Sequence, residues 1–310
     1  MEGFDPGLHS SSSLPPGAAD TLREDNPRLA ELRRSYSELD WPVCSHSRWL
    51  PRNVSGFLSL QYFRGDTVYL WHYRDSDELA QLKYFVYLRY LIERDTPGLL
   101  GRLDEDGAFG CWTYEFPNYQ ICSRDLLDSV NELLFLDRHL SVLAAPQLRV
   151  LDIGAGYGRL AHRAGQAIGS LADYCCVDAV PESTFLSEYY TAFRSVSPPV
   201  RVVPLPEVPQ LPADHFDLAM NVHSFSECPL DAIEWWMQLL ATLKVPRLFL
   251  VPNEPAGFLS TEEDGTRRNY LPVIEAAGYR STVEEWSFDD PAVRQVIGIG
   301  DRYCLFELGA

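Results

Sequence analysis

The chain has 310 residues, 46% hydrophobic and 12% aromatic, enough for one large core or a core with a smaller cap. Lys and Arg number 26 against 44 Asp and Glu, a formal net charge of −18. So acidic a surface repels phosphate backbones and anionic lipid, which sets nucleic-acid and membrane partners aside and leaves a small molecule as the expected substrate.

The seven cysteines, Cys44, Cys111, Cys122, Cys175, Cys176, Cys228 and Cys304, are odd in number and show no CxxC spacing. They read as reduced thiols in a cytoplasmic protein, not as a disulfide frame or a zinc site. The opening MEGFDPGLHSSSSLPPG lacks the basic start and apolar core of a signal peptide. No segment holds the ~20 consecutive apolar residues that would span a bilayer.

Residues 1–20, rich in Ser, Pro and Gly, read as a disordered tail. Residues 21–145 form an N-terminal, mainly helical cap region. Its stretch 21–75 has no strong periodicity, only scattered aromatics such as Trp41, Trp49, Phe57, Tyr62 and Trp71. Residues 77–94 predict a helix, with Asp77 and Glu78 at its positive end and a Thr96-Pro97-Gly98 stop. A strand-like aromatic run, FGCWTYEFPNY, follows. Residues 123–143 predict a second helix, N-capped by Ser123, with Leu127, Val130, Leu134 and Leu140 as its apolar positions.

Beyond Pro146 short apolar runs alternate with helical patterns. Strands are expected at Arg149–Ile153, Tyr174–Val177, Val200–Val203, Phe216–Val222, Leu248–Val251, Ser281–Trp286 and Tyr303–Leu308. Strands apolar throughout and separated by helices mean a parallel sheet covered on both faces. The last two, separated by Gly298, Gly300 and Asp301, read as an antiparallel pair closing one edge. Residues 146–310 are therefore expected to be a single α/β domain with a Rossmann-like, mostly parallel seven-stranded sheet.

The stretch RVLDIGAGYGRLAHRAG carries Gly154, Gly156 and Gly158 directly after an apolar strand and before a helix. Glycine lets the backbone turn sharply and lets a ligand approach without a Cβ in the way. Such a turn at a helix start can hold an anion or a polar ligand. The dinucleotide version wants glycines at i, i+2 and i+5. Here Arg159 occupies i+5, the third glycine comes one residue early, and Asp152 precedes the first by two. The next apolar strand ends in Asp178, 20 residues after Gly158. A carboxylate there can accept hydrogen bonds from both hydroxyls of a ribose.

The fourth core strand, FDLAMNV, runs into HSFSECPLDAIEWWMQLL. Pro229 suits the first position of a helix, whose Ile233, Trp236, Met237 and Leu240 share an apolar face. The loop Asn221 to Glu227 lies at the carboxyl edge of the sheet, where open parallel sheets bind ligands. His223 is the candidate base, because histidine takes a proton near neutral pH. Glu227 could orient it or act as base itself, and Asn221 is expected to touch the cofactor. Asn253 and Glu254, after the fifth strand, could hydrogen-bond a polyhydroxylated acceptor, or form a plain surface turn. Asp289-Asp290 reads as a loop. No dense carboxylate cluster calls for a divalent metal, although some sugar-modifying enzymes of this kind bind one.

Acid-x-Gly-x-Gly-x-Gly resembles the first motif of the class I S-adenosylmethionine-dependent methyltransferases, and the seven strands with a late antiparallel pair resemble their sheet. The resemblance implies that Asp152 orients the amino-acid end of S-adenosylmethionine and that the glycines lie beneath it. The cofactor candidates are Asp152, Gly154, Gly156, Tyr157, Gly158, Asp178, Ala179 and Asn221. Beyond it, ICSRDLLDSVNELLFL, LDIGAGYGRLAHRAG and NVHSFSEC together resemble the sugar O-methyltransferases of bacterial glycan and natural-product gene clusters. That resemblance implies a helical N-terminal portion over the site and transfer to a sugar hydroxyl. It implies Arg124 near the cofactor carboxylate and Tyr114, Glu115 and Tyr119 near the acceptor.

Three other readings remain open on sequence: N- or C-methylation of a small metabolite, a bound cofactor serving a cyclisation, and a non-catalytic partner subunit. The intact acids and glycines argue against the last. There is no Asp/Asn-Pro-Pro-Tyr after the fourth strand, the mark of methylation on planar nitrogens. A homodimer is compatible with all of these.

Overall fold

The computed structural model describes residues 14–45, 48–49, 58–66, 68–69, 78–196, 200–253 and 257–309. Residues 1–13 of the expected tail, Phe57, Trp71 and the candidate Glu254 lie outside them. The chain divides into two compact units, one drawn from residues 1–26, 54–142 and 288–299, the other from 27–53, 143–287 and 300–310.

The first unit is mainly helical, with helices Ala18–Thr21, Glu78–Ile92, Arg124–Leu140 and Pro291–Ile297. The helix at 18–21 falls inside the stretch expected to be disordered. Ser123 caps the long helix as expected, its Oγ accepting from Leu126 N at 3.0 Å. The aromatic run forms only a two-residue strand, β1 (Thr113–Tyr114), antiparallel to β2 (Cys122–Ser123). Positive φ at Gly107, Phe109 and Gly110 and the proline at 117 keep it from extending. Residues 289–290 form a loop as expected, and Asp290 caps the helix Pro291–Ile297 that follows, its carboxylate accepting from Ala292 N and Val293 N. That helix packs on Glu78–Ile92, where Tyr87 and Tyr90 meet Phe288 edge-on. The unit also buries Arg64 completely. Its guanidinium donates to both oxygens of Glu105 (3.0 and 2.8 Å), to Asp125 (3.2 Å), to Asp106 (3.3 Å) and to Ala108 O.

The second unit holds the sheet. Its strands are β3 (Leu148–Ile153), β4 (Leu171–Val177), β5 (Val200–Val203), β6 (Leu218–Val222), β7 (Arg247–Val251), β8 (Tyr279–Trp286) and β9 (Arg302–Leu308). The order is β5-β4-β3-β6-β7-β9-β8, parallel throughout except that β9 runs antiparallel between β7 and β8. All seven expected strands form, with ends shifted by at most three residues. The inner strands β3, β4, β6 and β7 are almost wholly buried, as two-sided coverage requires. The chain leaves β3 in one direction to β4 and returns on its other side as β6. The crevice between these carboxyl ends is where such sheets bind ligands.

Residues 27–53 belong with this sheet, although the sequence reading grouped them with the cap. The helix Pro27–Ser37 buries Leu29, Leu32 and Tyr36 and packs on the helix Pro181–Phe193. Arg28 pairs with both oxygens of Glu188, Arg33 with Glu182, and the Tyr36 hydroxyl lies 2.8 Å from Thr184 Oγ1. With only three inward positions among charged residues, this helix gives a weak periodic signal.

Candidate functional site

The turn after β3 has Gly154, Gly156 and Gly158 at φ 71°, 57° and 83°, the left-handed region that favours glycine. A Cβ on Gly154 would lie 2.1 Å from Ser224 Oγ, so the turn after β3 and the loop after β6 meet with no room for a side chain. The N–H groups of this turn are turned inward. Those of Gly154 and Ala155 donate to Val177 O, that of Gly158 to Ala155 O, and that of Gly156 to Asp178 Oδ2 at 2.9 Å. A pyrophosphate cradle needs outward N–H groups. This turn does not offer these four.

Two buried carboxylates stand at the turn. Asp152 accepts from the fully buried Tyr174 hydroxyl at 2.8 Å across the β3–β4 pair. Asp178 accepts from Gly156 N and Val180 N, one on each oxygen, both at 2.9 Å. Burial pushes its carboxyl up to about 7, and the nearby charges of Asp152 and Glu227 push the same way. The charges of Asp152 and Glu227 thus both bear on Asp178. A cationic ligand is drawn there, and a diphosphate is repelled.

The loop after β6 supplies the third acid and the candidate base. His223 follows β6 at φ 69°, ψ −33°, a conformation that costs a side-chain-bearing residue of order 1 kcal/mol or more. Its N–H is tied to Val251 O at 2.8 Å, and its Nε2 lies 3.3 Å from Asp301 Oδ2. Asp301 immediately precedes β9, which starts at the same sheet edge because it runs antiparallel. The Glu227 carboxylate accepts from the Trp49 indole N–H at 2.7 Å and from Asn253 Nδ2 at 3.5 Å. Burial raises its proton affinity, and Trp49, His223, Arg48 and Asn253 pull it back. The helix that follows is Leu230–Leu243, with Pro229 as its N-cap, so it starts one residue later than expected.

Two expected cofactor contacts are engaged within the protein. Asn221 is wholly buried and its amide is a strut: Nδ2 donates to Ile153 O (2.9 Å) and Ser224 Oγ (2.7 Å), and Oδ1 accepts from Phe225 N. It locks the turn after β3 to the loop after β6. Tyr157 is 2% exposed, its ring packed edge-on against Tyr190, so it serves the core. Ala179 is half-buried beside Asp178. Asn253 is at the same edge and bonds Glu227 and, through its N–H, Ser226 Oγ.

The remaining candidates lie in the first unit. Arg124 is buried with Nε on Asp128 at 3.1 Å, Tyr114 is stacked on Tyr84 at 4.0 Å, Tyr119 accepts from Arg89, and Glu115 is exposed. Sequence reasoning missed Tyr36, whose hydroxyl donates to Asp178 O at 3.4 Å and accepts from Leu205 N, along with Trp49 and Asp301. Tyr36 and Trp49 come from the stretch without periodicity, and Asp301 from a glycine-rich turn 78 residues beyond His223. All seven cysteines are free thiols. Among the described residues no group of three His, Cys, Asp or Glu is placed to hold a metal, and no helix is long and apolar enough to cross a membrane.

No family model and no curated protein matches the chain. Among solved structures it is similar to the (4+2)-cyclase SpnF, at 15% identity and TM-score 0.45 over 74% of this chain and 97% of that one. It is similar to magnesium protoporphyrin IX methyltransferase of Synechocystis PCC 6803 with bound S-adenosylmethionine, at 15% and 0.41 over 73% and 96%. It is also similar to an S-adenosylmethionine-dependent methyltransferase of Clostridium acetobutylicum, at 10% and 0.41 over 58% and 90%. At these values the weight rests on the chain's own strand order. That order gives a Rossmann-like, mostly parallel seven-stranded sheet with one antiparallel strand inserted next to its edge and an acid–glycine turn at the switch point.

Proposed function

We propose that the chain is an S-adenosylmethionine-dependent O-methyltransferase acting on a small polyhydroxylated acceptor, a sugar or glycosylated product. One observation carries the cofactor: the buried carboxylates Asp152 and Asp178 stand at a turn whose Gly154, Ala155, Gly156 and Gly158 N–H groups are all spent inside the protein. That arrangement suits a sulfonium with an ammonium group and fits a pyrophosphate poorly.

The residues present fit such a group. Asp178 keeps one further lone-pair direction on each oxygen for the two ribose hydroxyls. Asp152 stands at the end of β3 for the amino-acid part. S-adenosylmethionine, when bound, supplies an electrophilic methyl group. The chain's own task is to align an acceptor oxygen and remove its proton. His223, held in a strained conformation at the carboxyl edge, is the base. Asn253 offers polar groups to the acceptor from the loop after β7. The sugar acceptor rests on the sequence resemblance described above.

S-adenosylhomocysteine should raise the melting temperature and NAD should not. Incubation with S-adenosylmethionine and a panel of sugars and glycosides should yield a product heavier by one CH2, attached at oxygen. Methylation of a planar amine and of no hydroxyl would overturn the acceptor assignment.

A further inference from the structure

The candidate base has a partner that its sequence neighbourhood does not reveal. His223 Nε2 and Asp301 Oδ2 lie 3.3 Å apart, and their side chains are 18% and 19% exposed. Both are fixed by backbone: His223 N–H on Val251 O, and Asp301 O accepting from Ser287 N at 2.9 Å. The φ of His223, 69°, is strained for a residue that carries a side chain. Such strain persists only where the surroundings over-determine it, and here β7 on one side and the start of β9 on the other do so.

Resting on the methyltransferase reading, we propose that Asp301 is the positioning residue of the base. It accepts the Nε2–H of His223 and fixes the ring and its tautomer, so that Nδ1 is the nitrogen that takes the acceptor's hydroxyl proton. In that step the O–H bond breaks, its electron pair stays on the acceptor oxygen, and the proton joins the imidazole. The new imidazolium charge is balanced by the ionised Asp301. Other charged groups bear on the pair. Glu227 faces His223 from the same loop and is itself attended by Arg48 and Trp49 of the N-terminal arm and by Asn253 after β7. Arg302, next to Asp301, is paired with Glu284 of β8 and lies over the Trp286 ring. Its charge is therefore answered on β8.

The test needs no acceptor. Nitrogen-15 spectra of the full chain, labelled at histidine and titrated without ligand, report both the His223 tautomer and its titration midpoint. Asp301→Asn and Asp301→Glu are compared with wild type, and S-adenosylhomocysteine affinity is measured in parallel by calorimetry. The expected result is an Nε2–H tautomer in wild type. In D301N the midpoint falls by about one pH unit. D301E recovers most of that shift, and S-adenosylhomocysteine affinity changes less than twofold in both. An Nδ1–H tautomer in wild type, or a midpoint unchanged in D301N, overturns the proposal. Failure of wild type to bind S-adenosylhomocysteine would overturn the methyltransferase reading instead, and the titration would then judge the His223–Asp301 pair by itself.

Discussion

The two units treat buried carboxylates in opposite ways. In the helical unit Glu105 and Asp125 surround Arg64, whose guanidinium meets both of them within 3.2 Å and is itself wholly buried. In the sheet unit Asp178 is answered by two peptide N–H groups, and burial, with Asp152 and Glu227 adding to it, pushes its carboxyl up to about 7. A guanidinium matched by carboxylates fixes a structure. A carboxylate with raised proton affinity at an open strand edge is prepared for a donor that comes from outside.

The largest effect expected is on the matched cluster. Arg64→Ala leaves Glu105 and Asp125 buried without their cation and should cost about 3–5 kcal/mol of stability in a denaturant melt. If that variant melted like wild type, the cluster would not be what holds the helical unit. Next comes Gly154→Ala, whose Cβ would collide with Ser224 at a φ of 71°. It should lose a few kcal/mol and most ligand affinity, and adding Ser224→Gly should return part of both. Asp178→Ala, with far-UV circular dichroism unchanged, should weaken S-adenosylhomocysteine binding about 100-fold, because two charge-assisted hydrogen bonds are lost.

The smallest effect sharpens the contrast most. Donor hydroxyls bind the ionised form of Asp178, so binding lowers its proton affinity. Affinity should therefore rise about tenfold from pH 6 to pH 8 and level off above the midpoint near 7. The ligand-free protein shows the reverse sign. A carboxyl raised from 3.8 to about 7 contributes stability that is present in full below the ordinary carboxyl range and is lost as pH rises through about 7. Affinity that is flat over this range would mean that Asp178 does not meet the ligand.

The sheet was legible because β3, β4, β6 and β7 are largely buried on both faces and so read as mostly apolar runs. The glycine turn was legible because backbone geometry demands a residue type there. What stayed hidden depends on contacts distant in sequence. Trp49 reaches Glu227 across 178 positions, Tyr36 reaches Asp178 across 142, and Asp301 reaches His223 across 78. The bonds of the Asn221 amide to Ile153 O and Ser224 Oγ and the packing of Tyr157 on Tyr190 were hidden as well, because a pattern fixes position along a strand and not what a side chain touches. The helix Pro291–Ile297 was overlooked because its seven residues carry too few apolar positions to repeat.

The central claim is that the acid-lined turn after β3 takes a cationic adenosyl ligand. Calorimetric titration of the full chain with S-adenosylmethionine and, separately, NAD tests it directly. Saturable one-to-one binding of S-adenosylmethionine, weakened in Asp178→Ala, with no heat from NAD, is the predicted result. Binding of NAD with none of S-adenosylmethionine would contradict it.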